Sequence, residues 1–434
     1  MKDKINVFWF RRDLRLEDNF GFYNALRGKL PVVPLFIFDS SILQELNKDD
    51  ARINFIFENL QNMQRQLQEK GSGIAIYHGK PLDIFKEITS HFNIQNVITN
   101  HDYEPYARER DKIIEQFLLE KQIGFYSYKD QVIFEKDEIV KADGKPYLVY
   151  TPYMKVWKEK FKKNLLLKDF NPSVHFKNLF ISSKLPNLSL SDLGFEKSKI
   201  EIPDFDLGPN LIQDYESKRN FPSLGATSHL GPHLRFGTVS IRKVVKKAVS
   251  ENNEVFWQEL IWREFFMQIL WHFPETVSFA FKKKYDRIEW RNNEEEFLKW
   301  REGKTGFSIV DAGMRQLNST GYMPNRVRMV VASFLCKHLL IDWRWGEAYF
   351  AKKLLDYELS SNVGNWQWAA GCGVDAAPYF RIFNPSTQLE KFDKDCTYIK
   401  QWIPEFKTEA YPDKMVDHKE ARERCLRVYR VAVS

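Results

Sequence analysis

Cysteine is scarce. The chain has four, Cys336, Cys372, Cys396 and Cys425, with neither metal-site spacing nor the density of a disulfide framework. That usage excludes a disulfide-stapled secreted scaffold and fits a reducing cytoplasm. No apolar run approaches the roughly 18 residues of a membrane helix, so no membrane association is expected. The opening MKDKINVFWFRRDLR lacks a secretory pattern, because its strand-like INVFWF is short and is followed at once by charge. No G-x-G-x-x-G follows that first strand, which removes the standard dinucleotide fingerprint. P-loop, G-x-S-x-G and H-E-x-x-H patterns are absent as well. Only His229 and His233 stand four apart, and Gly231–Pro232 between them works against a continuous helix. No metal site is expected.

What remains is a globular composition with an aromatic excess. The 434 residues suffice for two domains, each with its own core. Hydrophobic residues make up 43% and charged residues 28%, as in ordinary globular proteins. The net charge of +7 permits a polyanionic partner without demanding one. Twelve Trp is high for this length. Such an excess serves large helical cores, stacking surfaces or redox-active rings.

Residues 1–130 alternate short apolar runs (INVFWF, PVVPLFIFD, GIAIYHG, NVITN) with longer helical patterns such as ARINFIFENLQNMQRQLQEK. This alternation predicts a doubly wound α/β domain with a mainly parallel sheet. Over 131–200 the periodicity fades and Lys, Pro, Ser and Asn recur, which reads as a connector over the surface. Residues 201–434 carry helical patterns almost throughout and predict an all-α domain.

The stretch LSSNVGNWQWAAGCGVDAAPYFRIFNP (359–385) departs from core-packing composition. It pairs Trp366 and Trp368 with small residues, amides and Arg381, a mixture suited to a large flat ligand. Glu259, Trp262 and Arg263 share a helix face at i, i+3 and i+4. Taken alone, Glu259 and Arg263 read most simply as a solvated ion pair. A carboxylate and an indole presented together can also read and stack on a nucleobase. Arg326 and Arg328 flank a helix start, and Asp356 and Glu358 lie beyond its end. Arg and Asp from separate helices can flank a ligand or simply bridge the helices. Thr227 and Ser228 sit in a Gly-rich loop, and Ser240 is placed to cap the basic helix SIRKVVKKA. Small hydroxyl residues before helices bind phosphate, though capping without a ligand is commoner.

FWFRRDLRLEDN, ELIWREFFMQI, NRVRM, ASFLCKHLLIDWR and NVGNWQWAAGCGVDAAPYFRIFNP, in this order over nearly the whole chain, resemble the photolyase/cryptochrome family. Within it the chain is most similar to class I cyclobutane pyrimidine dimer (CPD) photolyases. The resemblance implies an N-terminal domain holding an antenna pigment and a helical domain holding folded FAD. It implies light-driven repair of UV-damaged DNA by a monomer, with excited reduced FAD donating an electron to a flipped-out dimer.

Residue by residue, Tyr215, Thr227 and Ser228 match FAD phosphate contacts. Arg328 and Asp356 match an ion pair beside the isoalloxazine, Glu358 a neighbouring flavin contact, and Asn362 the partner of flavin N5. Trp290, Trp343 and Trp366 match a three-tryptophan electron relay, a role compatible with simple packing. Glu259, Trp262, Asn325, Arg326, Met329, Trp368 and Arg381 match the lesion cavity. Trp262 and Trp368 are expected to sandwich the flipped bases. Arg219 matches a DNA-facing arginine, so binding is expected to be salt-sensitive.

Several positions depart from the class I pattern. Glu358 replaces Asp, Gly231 a serine, and His229 an arginine. Phe256 stands where some relatives have Trp, and Pro324 where His is common. Tyr106 and Ala107 replace the Asn and Glu of folate-binding relatives. That points to a deazaflavin or flavin antenna rather than methenyltetrahydrofolate. A cryptochrome photoreceptor without repair is the main alternative, but Asn362 stands where those carry Asp or Cys. A (6-4) photolyase is the other, but NRVRM lacks the expected histidine.

Overall fold

The computed structural model describes residues 3–163 and 168–434. Two compact units emerge, and both are discontinuous in sequence. The first comprises Met1–Glu135, Lys160–Phe205 and Leu230–Lys247. The second comprises Lys136–Glu159, Asp206–His229 and Ala248–Ser434. The expected division at 130 and 200 runs in three successive pieces, whereas these units are interleaved. The expected connector contributes to both and contains the helix Tyr150–Lys163. Its residues 164–167 lie outside the described residues.

In the first unit, strands β1 (Lys4–Phe10), β2 (Val32–Asp39), β3 (Ala75–Gly79), β4 (Asn93–Asn100) and β5 (Gly124–Tyr128) form a sheet in the order β3-β2-β1-β4-β5. Every pairing is parallel. Side chains alternate across a strand, so Val7 and Trp9 of β1 enter one apolar cluster and Phe8 and Phe10 the other. β2 is buried along its whole length, as its unbroken apolar run demands in a sheet covered on both faces. Helices Ala51–Gln68, Pro81–His91 and Pro105–Glu120 make the last three crossovers. Asp50 caps the first of these from its side chain, and the other two begin with Pro at their first turn.

A buried ionic network ties Leu230–Lys247 into this unit. Arg242 donates to Asp130 at 2.8 Å and to Asp18 at 3.0 Å, and Arg15 also donates to Asp130. Ser240 Oγ accepts from the Arg242 amide at 3.2 Å, the expected cap, and donates to Asp18. Burial alone would raise the Asp130 carboxyl. The Arg15 and Arg242 guanidiniums outweigh it and hold Asp130 below the ordinary carboxylate value.

The second unit is helical. The helices Asn325–Ser333, Trp343–Lys353, Leu359–Ala370 and His418–Val433 surround one apolar core, and Glu254–His272 packs against Leu359–Ala370. Two glycines set the spacing around Leu359–Ala370. A Cβ at Gly346 would fall 2.1 Å from the Trp366 ring, and one at Gly364 would fall 2.2 Å from Phe266. Gly346→Ala is therefore expected to displace the Trp366 indole and to destabilise by about 1–3 kcal/mol, as overpacking does. A urea unfolding midpoint and the near-UV circular dichroism of the indole measure both effects. Among the described residues, no helix is long and apolar enough to cross a membrane. No grouping of His, Cys, Asp and Glu that could hold a metal is found among them.

Candidate functional site

The helix Leu359–Ala370 presents Asn362, Asn365, Trp366 and Ala369 at i, i+3, i+4 and i+7, so one face carries two amides and an indole. That face lines a cavity of about 600 Å³. Asn325, Arg328, Met329, Asp356, Glu358 and Trp368 join it. The structure thus brings eight expected site residues to one cavity.

The polar groups are set by their partners. Asn362 Nδ2 donates to the Glu347 backbone carbonyl at 3.1 Å and to Glu347 Oε1 at 2.8 Å. A carbonyl can only accept, so the amide nitrogen must face Glu347. Asn362 Oδ1 is then left as an acceptor for a ligand. Burial pushes the Glu347 carboxyl up, against hydrogen bonds from Asn362 and Tyr357. Arg328 donates to Asp356 Oδ2 at 2.8 Å and to the Met323 carbonyl at 2.6 Å. Burial opposes the Arg328 charge, but Asp356 outweighs it and the guanidinium is held above its ordinary value. Asp356 Oδ1 is buried with no partner among the described residues. A buried acceptor without a donor is costly unless a ligand supplies one. Two acceptors, one cation and two indoles therefore fit a flat heteroaromatic ring with N–H donors and developing negative charge. FAD meets that description.

A second cavity of about 740 Å³ is lined by Arg219, Thr227, His229 and Tyr322. Thr227 Oγ1 pairs with the Tyr322 hydroxyl at 2.7 Å, and the Arg328 guanidinium lies 5.9 Å from the Tyr322 ring centre. Tyr322 thus stands between the two cavities. His229 is in the left-handed region at φ 52°, immediately before the short helix Leu230–Phe236 that carries His233, so the two histidines share no continuous helix.

Glu259 and Arg263 do not pair with each other along the helix. Glu259 pairs with Arg219, and Arg263 with Glu358 at 2.8 Å, so each bridges to another element. Arg219 lies over the Tyr215 ring, which places Tyr215 beside Glu259. Trp262 carries the Tyr150 ring flat against it, 3.6 Å between centres and 8° between planes. Neither of the two cavities is lined by Tyr215, Ser228, Glu259, Trp262, Arg326 or Arg381. Ser228 is buried, its carbonyl accepting from the Asp206 amide at 2.9 Å.

Arg326 donates to Asn220 Oδ1 at 2.8 Å and stacks 4.4 Å from Phe392. Burial, then the like charges of Arg219 and Arg381, lower its proton affinity. Positive charge is thus gathered around Arg326. Trp343 and Trp366 are each 2% exposed, and the partly buried Trp290 packs on the same apolar cluster. The three expected relay residues thus share one cluster, two of them buried and Trp290 partly buried.

Glu347, Tyr322 and Tyr150 were not singled out in the sequence. Glu347 sits in an amphipathic run, WGEAYF, where a polar residue looks solvated. Tyr150 lies in the stretch read as connector. Neither position carries a local signal.

A doubly wound unit and a helical unit with this cavity define a two-unit, cofactor-binding class of protein. Comparison with known proteins makes the assignment specific. Residues 6–172 match the family described as DNA photolyase, and residues 256–410 match the FAD binding domain of DNA photolyase. A deoxyribodipyrimidine photo-lyase of Halobacterium salinarum is 34% identical, with 98% of each chain covered. A class III photolyase from Agrobacterium tumefaciens has a similar solved structure, with TM-score 0.88 at 33% identity, covering 100% of this chain and 98% of that one. An archaeal photolyase from Sulfolobus tokodaii, solved with two FAD molecules, superposes with TM-score 0.83 at 33% identity, covering 98% and 99% of the two chains. The chain belongs to the DNA photolyase family.

Proposed function

We propose that this protein repairs cyclobutane pyrimidine dimers in UV-damaged DNA with blue light. The observation that carries the reading is the cavity in which Arg328, Asp356 and Asn362 meet Trp366 and Trp368. FAD, bound and fully reduced, supplies on excitation the electron that splits the dimer.

The chain's own residues hold and tune that group. Asp356 orients Arg328, which would offset negative charge on the ring, while Asp356 Oδ1 would accept from a ring N–H. Asn362 would offer Oδ1 to flavin N5, because Glu347 holds its amide nitrogen. An amide there brings no acidic proton to the ring. Thr227 and Tyr322 line the second cavity and would hold the FAD phosphates there. Trp290, Trp343 and Trp366 pass electrons inward from the surface. Indoles suit this because they oxidise readily and hold a radical.

Arg219, Arg326 and Arg381 grip phosphates, while Glu259, Trp262, Asn325, Met329 and Trp368 receive the flipped dimer. Asn325 Nδ2 lies 4.0 Å from Met329 Sδ, so the two already form one surface. The similarity to both curated deoxyribodipyrimidine photo-lyases and a class III photolyase supports repair over pure photoreception.

A deazaflavin or flavin serves as the antenna in the first unit. In doubly wound sheets ligands bind beyond the carboxyl ends of the strands, where the order reverses. Here the reversal falls at β1, between β2 and β4. Tyr106 stands at that end, a residue 44% exposed whose hydroxyl donates to Asp39 at 2.6 Å, which offers a stacking face for a flat pigment. The absorption spectrum of the purified protein checks this: a folate band in place of a flavin-type band overturns it.

The repair reading is tested by illuminating reduced, FAD-bound protein with a thymine-dimer oligonucleotide. Dimers are expected to disappear under blue light and to persist in the dark. Persistence under light would sink the reading.

A further inference from the structure

Trp262 does not stand free. The Tyr150 ring covers one face of its indole at 3.6 Å and 8°, a full overlap of the two planes. Tyr150 is itself buried and held at several points. Its hydroxyl donates to the Gln258 carbonyl at 2.8 Å, one helical turn before Trp262. Its backbone N–H donates to Asp375 Oδ2 at 3.0 Å. The Phe265 ring meets it edge-on at 5.8 Å. Asp375 sits at φ 45°, a conformation few non-glycine residues adopt, and such outliers cluster at ligand clamps. Burial, then the nearby Glu259 and Glu254, pushes the Tyr150 phenol up, so it stays a donor. Tyr150 thus joins the helix of Glu259 and Trp262 to the segment that runs on to Arg381.

We infer that Tyr150 is a positioning residue that dictates which surface of Trp262 a flipped pyrimidine dimer meets. With one face covered, the indole offers only its edge and its opposite face. The Phe266 ring also packs on the indole, at 5.5 Å and 29°, and crowds it further. The ring pair makes a thick, fixed wall, whereas a lone indole could swing between rotamers. The dimer is therefore selected by shape against a rigid surface, and a simple sandwich between Trp262 and Trp368 is replaced by an edge-on or one-sided contact. This inference rests on the reading of Trp262 as a lesion contact.

The test uses the FAD-bound full chain and two duplexes, one with a thymine dimer and one undamaged. Tyr150→Leu removes the ring and Tyr150→Phe keeps it. Tyr150→Leu is expected to weaken dimer binding roughly 10-fold, the scale of one lost aromatic contact, and to leave undamaged DNA within about twofold. Tyr150→Phe is expected to stay within about threefold of wild type on both duplexes. A merely structural role would lower the unfolding midpoint and move both affinities together.

Equal weakening on both duplexes, wild-type selectivity in Tyr150→Leu, or a Tyr150→Phe as impaired as Tyr150→Leu overturns the inference. Should Tyr150→Leu not fold, Asp375→Gly releases the Tyr150 amide while relaxing the positive φ. A partial loss of the same selectivity supports the role, and unchanged selectivity refutes it. A wild-type protein that does not prefer the dimer duplex sinks the repair reading and this inference with it. A selective wild type beside an equally selective Tyr150→Leu sinks this inference alone.

Discussion

Trp366→Phe is expected to slow photoreduction of oxidised, FAD-bound protein by an order of magnitude or more, while repair started from chemically reduced protein survives. The indole is 2% exposed, faces the cavity, and packs edge-on against Phe350 at 5.0 Å. At that burial a reductant in solution makes little contact with the ring, so on the proposed relay its electrons would arrive through neighbouring side chains. Phenylalanine fills most of the same volume but is far harder to oxidise, so the substitution interrupts the path with little change in packing. Flavin absorbance under blue light with an external reductant measures the first effect, and dimer loss from pre-reduced protein the second. Equal photoreduction in variant and wild type would refute the relay, whatever happens to repair.

Arg242→Met is expected to destabilise the first unit by about 3–5 kcal/mol, the scale of breaking a buried ion pair by removing one partner. Asp130 is 0% exposed at its side chain and Asp18 2%, so the carboxylates left behind cannot turn to water. The pH dependence carries the same signature. The folded-state value of Asp130 lies below its ordinary 3.8, so its contribution is complete above that pH and fades as pH falls through the folded value. Wild-type protein should therefore lose stability on acidification below about pH 4. Arg242→Met should show a shallower loss, because the stabilising charge is gone at every pH. Urea midpoints between pH 3 and 7 measure both, and parallel curves would show that Arg242 does not set the Asp130 carboxyl.

Much of this was legible from local pattern. β1 to β4 announce themselves as short apolar runs, and Leu359–Ala370 as an aromatic stretch with too many amides for a core. β5 did not. Gly124 and Ser127 break its apolar run, and Tyr126 is exposed at the sheet edge. Partner choice was not legible either. Spacing along one helix suggested a Glu259–Arg263 pair, yet the chain pairs them with Arg219 and Glu358, 40 and 95 residues away. Tyr150 meets Trp262 only because separate segments pack together. Periodicity reports which face of an element is apolar, but the partner across that face is fixed by tertiary packing.

The interleaving of the two units also bears on how the protein is made. Domains tend to fold as units while the chain is being synthesised, N-terminal part first. Here the α/β unit cannot close when its fifth strand appears, because Arg242 arrives more than a hundred residues after Asp130. A nascent chain stopped near residue 205 would hold Asp18 and Asp130 with only Arg15 to neutralise them. Ribosomal synthesis must carry on into the second unit's residues before the first unit is electrostatically complete, which couples their maturation in time.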